Sequence, residues 1–286
     1  MLLKRVKKTQ SGPMTDKLGL WEDIKGLSLP IEEYKHDNYV TSLPLWTGCR
    51  GNESVGFSFN QITRTFFLKE LKAFLLDNPI YYDVLTPELD GYGDFDTYFA
   101  TSLKLNEISN VFANDNIGNT RTTWNNLRML WYLKNIHENI KPIWEFDNII
   151  DFGAGTGHFI KHCYQVGFKG SVQIIDIPVT IPIQEYVLRG VDVKWVDIEE
   201  VLTHLPNTLF NSTWGFSETP LSLRDKLPDI TTCSKFIAFQ HNFYGVDNKK
   251  DIMDRFYEKD SSILRDISVI APWDEGSTFL MSKSFI

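Results

Sequence analysis

The rhythm of apolar and polar positions changes along this chain near Pro142. Upstream, Phe66, Phe67, Leu71, Phe74 and Leu75 form an apolar stripe that predicts helix within Ile62 to Leu76. Between Thr122 and Ile140, Trp124, Leu127, Leu130, Trp131 and Ile136 recur near helical spacing, and Pro142 supplies a stop. The segment Leu89 to Asp96, with Gly91 and Gly93 among acidic and aromatic residues, reads as a loop.

Beyond Pro142, short apolar runs alternate with longer segments, as in a parallel sheet with crossover connections. The predicted strands are Asn148–Asp151, Val172–Ile175, Val193–Val196, Leu209–Gly215 and Lys235–Gln240. Two later runs, Ile267–Ala271 and Thr278–Ser282, flank Pro272-Trp273-Asp274-Glu275-Gly276 and predict a C-terminal antiparallel hairpin. The expectation is an α/β domain over residues 121–286, preceded by a mainly helical region over 1–120.

A formal net charge of -8 over 286 residues disfavours broad attraction to nucleic acid, which rests on clustered Lys and Arg. Lys4, Arg5, Lys7 and Lys8 form the compact basic cluster, but the apolar stretch of a secretory signal does not follow, so it reads as a solvated tail. Each apolar run is interrupted by charge or proline before it reaches membrane-helix length, and the expected location is cytoplasmic. Cys49, Cys163 and Cys233 are widely spaced, without a Cys-x-x-Cys pair, and indicate neither a disulfide framework nor a zinc site.

The first predicted strand runs into Asp151-Phe152-Gly153-Ala154-Gly155-Thr156-Gly157, after which Phe159-Ile160 opens a helical pattern. Glycines let a ligand approach the backbone, and a helix start presents unpaired N–H groups. A strand-to-helix turn alone is weak evidence of a site. The dinucleotide fingerprint needs a further glycine where this chain has His158, which disfavours a nicotinamide cofactor. Asp151 would repel a pyrophosphate but pair with a cationic amino group. S-adenosylmethionine (SAM) carries such a group and no phosphate.

Asp176 ends the second predicted strand, where a carboxylate can accept from two ribose hydroxyls, and Asp197 closes the third, within reach of an adenine amine. Ile177 and Ile198 would pack on the sugar and base. Each Asp alone is an ordinary turn former, but three carboxylates at successive strand ends share the edge where open α/β sheets bind ligands.

Asp151-x-Gly153-x-Gly155-x-Gly157 with Asp176 and Asp197 resembles the SAM site of class I methyltransferases over roughly residues 140–286. The resemblance implies a Rossmann-like sheet, mostly parallel with a C-terminal antiparallel hairpin. It also implies that Asp151, Gly153, Gly155 and Gly157 surround the methionine part, Asp176 the ribose and Asp197 the adenine, with S-adenosylhomocysteine as product. His158 is expected to line the same pocket.

Ser212-Thr213-Trp214-Gly215-Phe216-Ser217-Glu218-Thr219-Pro220-Leu221, Phe236-Ile237-Ala238-Phe239-Gln240 and Asn116-Ile117-Gly118-Asn119 are similar to segments of sugar O-methyltransferases found with bacterial surface-polysaccharide genes. The implied acceptor is a sugar or glycan precursor, with residues 1–120 covering its cleft. His241 is the leading candidate for general base because imidazole titrates near neutral pH; Glu218 is the alternative base or acceptor-orienting group. A structural hydrogen bond explains His241 equally well, and Glu218 serves equally as a cap.

His158 and His162 are four apart but lack the intervening Glu and third ligand of a metal helix, so no metal site is assigned. A divalent ion on Asp176, Asp197 or Glu218 stays open, because oxygen ligands leave little spacing to recognise. Also open are a non-sugar acceptor and a noncatalytic SAM-fold binding protein. The acceptor hydroxyl and the oligomeric state are not read from the sequence.

Overall fold

The computed structural model describes residues 61–85, 124–243, 245–257, 263–267 and 277–282. The basic cluster, Leu89 to Asp96, Asn116 to Asn119, Cys49 and the Pro272–Gly276 connection lie outside them. The first helices are α1 (Gln61–Asp77) and α2 (Trp124–Asn139), close to the predicted spans. Leu71, Phe74 and Leu75 of the α1 stripe are buried, as are Leu130, Trp131 and Ile136 of α2. Pro142 sits just ahead of a short 3-10 turn at Ile143–Glu145, consistent with its reading as a stop.

The sheet strands are β1 (Asn148–Phe152), β2 (Ser171–Ile175), β3 (Val193–Trp195), β4 (Thr208–Thr213), β5 (Ser234–Gln240), β8 (Ile263–Ile267) and β9 (Ser277–Ser282). A separate two-residue ribbon pairs β6 (Asn242–Phe243) with β7 (Val246–Asp247). Their order in the main sheet is β3-β2-β1-β4-β5-β9-β8. β1 to β5 are parallel, and β9 runs antiparallel between β5 and β8. This is a Rossmann-like, mostly parallel sheet with an antiparallel C-terminal pair, and its order reverses between β1 and β4.

Of the strand expected at Ile267–Ala271, residues 268–271 lie outside the described residues; the described strand is Ile263–Ile267, where Ile263 pairs with Ser282 and Leu264 with Met281 of β9. β4 ends at Thr213 because Trp214 takes φ 77 and Gly215 begins a helix.

Alternation along the strands feeds two apolar layers. Ile149, Val172, Ile174, Leu209, Phe236 and Ala238 join the layer beneath α1 and α2, whereas Ile150, Ile175, Phe210, Ile237 and Phe239 join the opposite one. The sequence therefore buries both faces, as crossover connections require. Residues 61–85 share the first layer: Leu71, Phe74, Tyr81 and Val84 pack with α2 and β1 in one core. Lys134 on α2 is itself buried; its ion pair to Glu70 at 2.7 Å ties α2 to α1, and a second, to Glu138 at 2.6 Å, lies within α2.

Trp131 anchors α2 to the antiparallel strand, its ring 4.8 Å from that of Phe279 and fully enclosed. Trp131→Ala is expected to destabilise the protein by about 3–5 kcal/mol, as for other large aromatic truncations. Urea unfolding followed by circular dichroism checks it; a loss below about 1 kcal/mol would contradict this packing role.

Candidate functional site

The turn between β1 and α3 (His158–Gln165) lies at the carboxyl edge, beside the switch point. Gly153, Gly155 and Gly157 all take positive φ, at 76°, 59° and 82°. Gly153 has a second constraint: a Cβ there would stand 2.6 Å from Gly215 Cα. A Cβ on Gly215 would meet Phe152 O at 2.6 Å and Gly153 Cα at 2.7 Å. The turns that follow β1 and β4 therefore touch backbone to backbone. Gly215 was quoted only within a longer resemblance; its contact with Gly153, 62 positions away, leaves no spacing signal.

Three amides of this turn are already engaged. Gly153 N donates to Ile175 O at 2.8 Å, Gly157 N to Ala154 O at 2.9 Å, and Gly155 N to Asp176 Oδ2 at 2.9 Å. Asp176 thus occupies the place an incoming phosphate oxygen would need, which supports the preference against a pyrophosphate cofactor. Its Oδ1 accepts from Ile177 N at 2.7 Å and its Oδ2 also from Gln184 Nε2 at 2.7 Å. A carboxylate has about four acceptor sites, so capacity for a hydroxyl remains. Withdrawal from water pushes Asp176 up to about 6, against the pull of these hydrogen bonds.

Gln184, on α4 (Ile181–Val187), was absent from the candidate residues. Its amide nitrogen reaches Asp176, Gly155 O at 2.9 Å and Thr180 Oγ1 at 3.2 Å, and its oxygen accepts from Trp195 Nε1 at 2.8 Å. One amide ties the glycine turn, the end of β2 and β3 together. A Gln among apolar residues of a short helix gives no advance signal of that role.

Asp151 is enclosed, with Oδ1 accepting from Asn211 Nδ2 at 2.7 Å. Asp151 Oδ2 and Asn211 Oδ1 are buried without a hydrogen-bond partner. Burial, opposed by the Asn211 bond and reinforced by Asp176, pushes Asp151 up to about 7. Two raised carboxylates at one edge make a site that gains from a cation. Asn211 was likewise missed; it is brought in by the parallel register that sets it opposite Asp151.

His158 is buried at the start of α3, its Nδ1 2.7 Å from Thr156 Oγ1 and its ring 6.2 Å from that of His162. Burial, then His162, Lys161 and Arg128, hold it well below the usual imidazole range, so it is neutral. Ile177 packs on the α2 side of the sheet, while Ile198 packs on the other. Asp197 is exposed past β3, with its carbonyl accepting from Glu200 N at 2.9 Å. Gly155, Asp176 and Gln184 are thus joined by the bonds described, Asp151 is bonded to Asn211 on the neighbouring strand, and Asp197 stands apart from both groups.

Glu218 ends the short helix α5 (Gly215–Glu218) beyond β4, and His241 directly follows β5. Both are half-buried and lie on the carboxyl edge, where the sequence reading put them. Trp214, between β4 and α5, adopts φ 77 and ψ -35, a conformation that costs a bulky residue on the order of 1–3 kcal/mol. Its N–H donates to Ala238 O at 2.8 Å, and its indole Nε1–H to Tyr132 Oη at 3.2 Å. Among the described residues, no His, Cys, Asp and Glu group could hold a metal ion, and no helix is long and apolar enough to cross a membrane.

No protein-family model and no curated relative matches the chain. Its solved neighbours include an S-adenosylhomocysteine-bound methyltransferase, PaMTH1 of Podospora anserina: 14% identity over 56% of this chain and 79% of that one, TM-score 0.35. A SAM-dependent methyltransferase from Leishmania major matches at 14% identity over 54% and 70%, TM-score 0.36. One from Aquifex aeolicus matches at 16% over 52% and 93%, TM-score 0.33. The fold class rests on strand order and direction rather than on these distant likenesses.

Gly215→Ala is expected to disrupt the carboxyl edge, because both obstructing groups are backbone, and to lower the melting temperature by several degrees. Retained wild-type stability would contradict the contact. For Asp151, a carboxyl raised from 3.8 to about 7 favours folding fully below pH 4, and that contribution is lost as pH rises through 7. Asp151→Asn removes this loss, so its melting temperature relative to wild type should climb between pH 5 and pH 8. The comparison cancels the opposite slope of neutral His158; a pH-independent difference would refute the raised carboxyl.

Proposed function

We propose that this protein is a SAM-dependent methyltransferase that places a methyl group on a hydroxyl of a sugar or glycan precursor. The observation that carries the cofactor reading is the pair of carboxylates at the switch point: Asp176 accepts the Gly155 amide of the turn and Asp151 presents a buried, unsatisfied acceptor. An anionic nucleotide is repelled there, and a cationic one is favoured. The sugar reading rests on the resemblance through residues 212–221 and 236–240.

In this reading Asp151 and the glycine turn face the ammonium end of the cofactor, with His158 lining the pocket. Asp176 accepts from ribose, and Asp197 approaches adenine, with Ile177 and Ile198 packed on either side. Bound SAM supplies a methyl group on a sulfonium sulfur. The acceptor oxygen forms the new C–O bond as the C–S bond breaks, leaving S-adenosylhomocysteine. His241 takes the hydroxyl proton, with Glu218 orienting the acceptor or serving as the base itself. Orientation within a closed site supplies much of the rate, on the order of 7–11 kcal/mol in favourable intramolecular systems. The same reading would have residues 1–120 cover the acceptor cleft of the 121–286 domain, with residues 61–85 packed on α2 and β1.

Calorimetry is expected to show micromolar or tighter SAM binding, weakened about 10-fold or more by Asp176→Ala, the loss of a charged hydrogen-bonding group. Absence of wild-type binding would sink the proposal. Affinity should rise between pH 5.5 and pH 8, because a cationic ligand favours the ionised forms of Asp151 and Asp176, whose raised values require proton release on binding. For the acceptor, products formed from a panel of glycan precursors should be methyl ethers; N-methyl products alone would reject the hydroxyl assignment.

A further inference from the structure

Arg224, the last residue of α6 (Leu221–Arg224), is a buried cation at 1% exposure on the acceptor side of the edge. Its Nε donates to Thr219 O at 2.7 Å and its Nη2 to Ser217 O at 2.9 Å, so it grips the backbone on both sides of Glu218. Nη2 also donates to Asn248 Oδ1 at 2.7 Å, and Nη1 to Asp251 Oδ2 at 2.7 Å. Both acceptors lie on α7 (Asn248–Ile252). Asp251 is steadied in turn by Arg255, whose Nε donates to its Oδ1 at 2.7 Å.

The other end of the bracket reaches His241. Asn248 N donates to His241 O at 2.8 Å, and Lys249 N to the same oxygen at 3.3 Å. Asn248 Nδ2 also donates to Ser217 O at 3.3 Å. A single asparagine therefore bonds to the loop carrying Glu218 and to the loop carrying His241, and Arg224 holds that asparagine. Burying a guanidinium costs several kcal/mol before its bonds are counted, and a well-packed apolar side chain often gives equal stability. What the apolar replacement lacks is directional bonding that sets one loop against another.

We propose that Arg224, acting through Asn248, is a positioning residue that holds Glu218 and His241 in one frame, so that both address the same acceptor hydroxyl. The assignment of that hydroxyl chemistry rests on the methyltransferase reading above. Arg224 touches neither cofactor nor acceptor in this scheme. Its planar fork is the needed feature, because Lys keeps the charge but cannot bond four acceptors in a plane.

The test uses the full chain without cofactor or acceptor, comparing the ring-proton resonances of its histidines by NMR at one fixed pH. In the wild-type background, Glu218→Gln should displace the His241 ring resonance, because Asn248 and Arg224 hold the two loops together. In the Arg224→Lys background the same substitution should move it by less than a third as much. An equal or larger shift in that background, or no shift in wild type, overturns the proposal. A purely structural role for Arg224 would lower the melting temperature and leave the coupling intact. If Arg224→Lys does not fold, Asn248→Ala provides the same comparison, because it removes the side-chain link between the loops and retains the other Arg224 bonds. Failure of SAM binding would refute the methyltransferase reading separately, since this coupling is measured without it.

Discussion

The contact between Gly153 and Gly215 sets the geometry of the whole carboxyl edge. Neither position has room for a Cβ, because the obstructing atoms on each side are backbone. That approach brings the turn after β1 against the turn after β4 at the point where strand order reverses. Trp214 accepts an unfavourable backbone conformation beside it, held by the Ala238 carbonyl and the Tyr132 hydroxyl. Local strain here is offset by bonds to two separate parts of the fold.

Around this contact the protein handles buried charge in two ways. After β1 and β2 it withdraws Asp151 and Asp176 from water, leaving one Asp151 oxygen without a partner, and this desolvation raises both carboxyls above the usual aspartate range. After β4 and β5 it withdraws Arg224 from water and satisfies it with four bonds. An unsatisfied buried acceptor favours a complementary ligand, whereas a satisfied buried cation favours a single local geometry.

Much of this was legible from residue order. Alternation in Ile149-Ile150 and Phe236-Ile237-Ala238-Phe239 predicted strands buried on both faces, and the two layers divide those residues accordingly. The glycine turn and Asp176 were legible because their spacing is local to one strand–turn–helix–strand unit. Gln184, Asn211, Gly215, Arg224 and Asn248 were not singled out, since each acts on a partner brought close by pairing or packing.

The sequence by itself determined the element types, the parallel core and the acidic, glycine-rich character of the turn, because these follow from periodicity and side-chain chemistry over short spans. Tertiary structure alone decided that Asp176 occupies the turn's anion position, that Asp151 faces Asn211 in a dry layer, and that Arg224 joins two loops. Those outcomes depend on through-space distances and on exclusion of water, which arise only when the strands have paired and both faces of the sheet are covered.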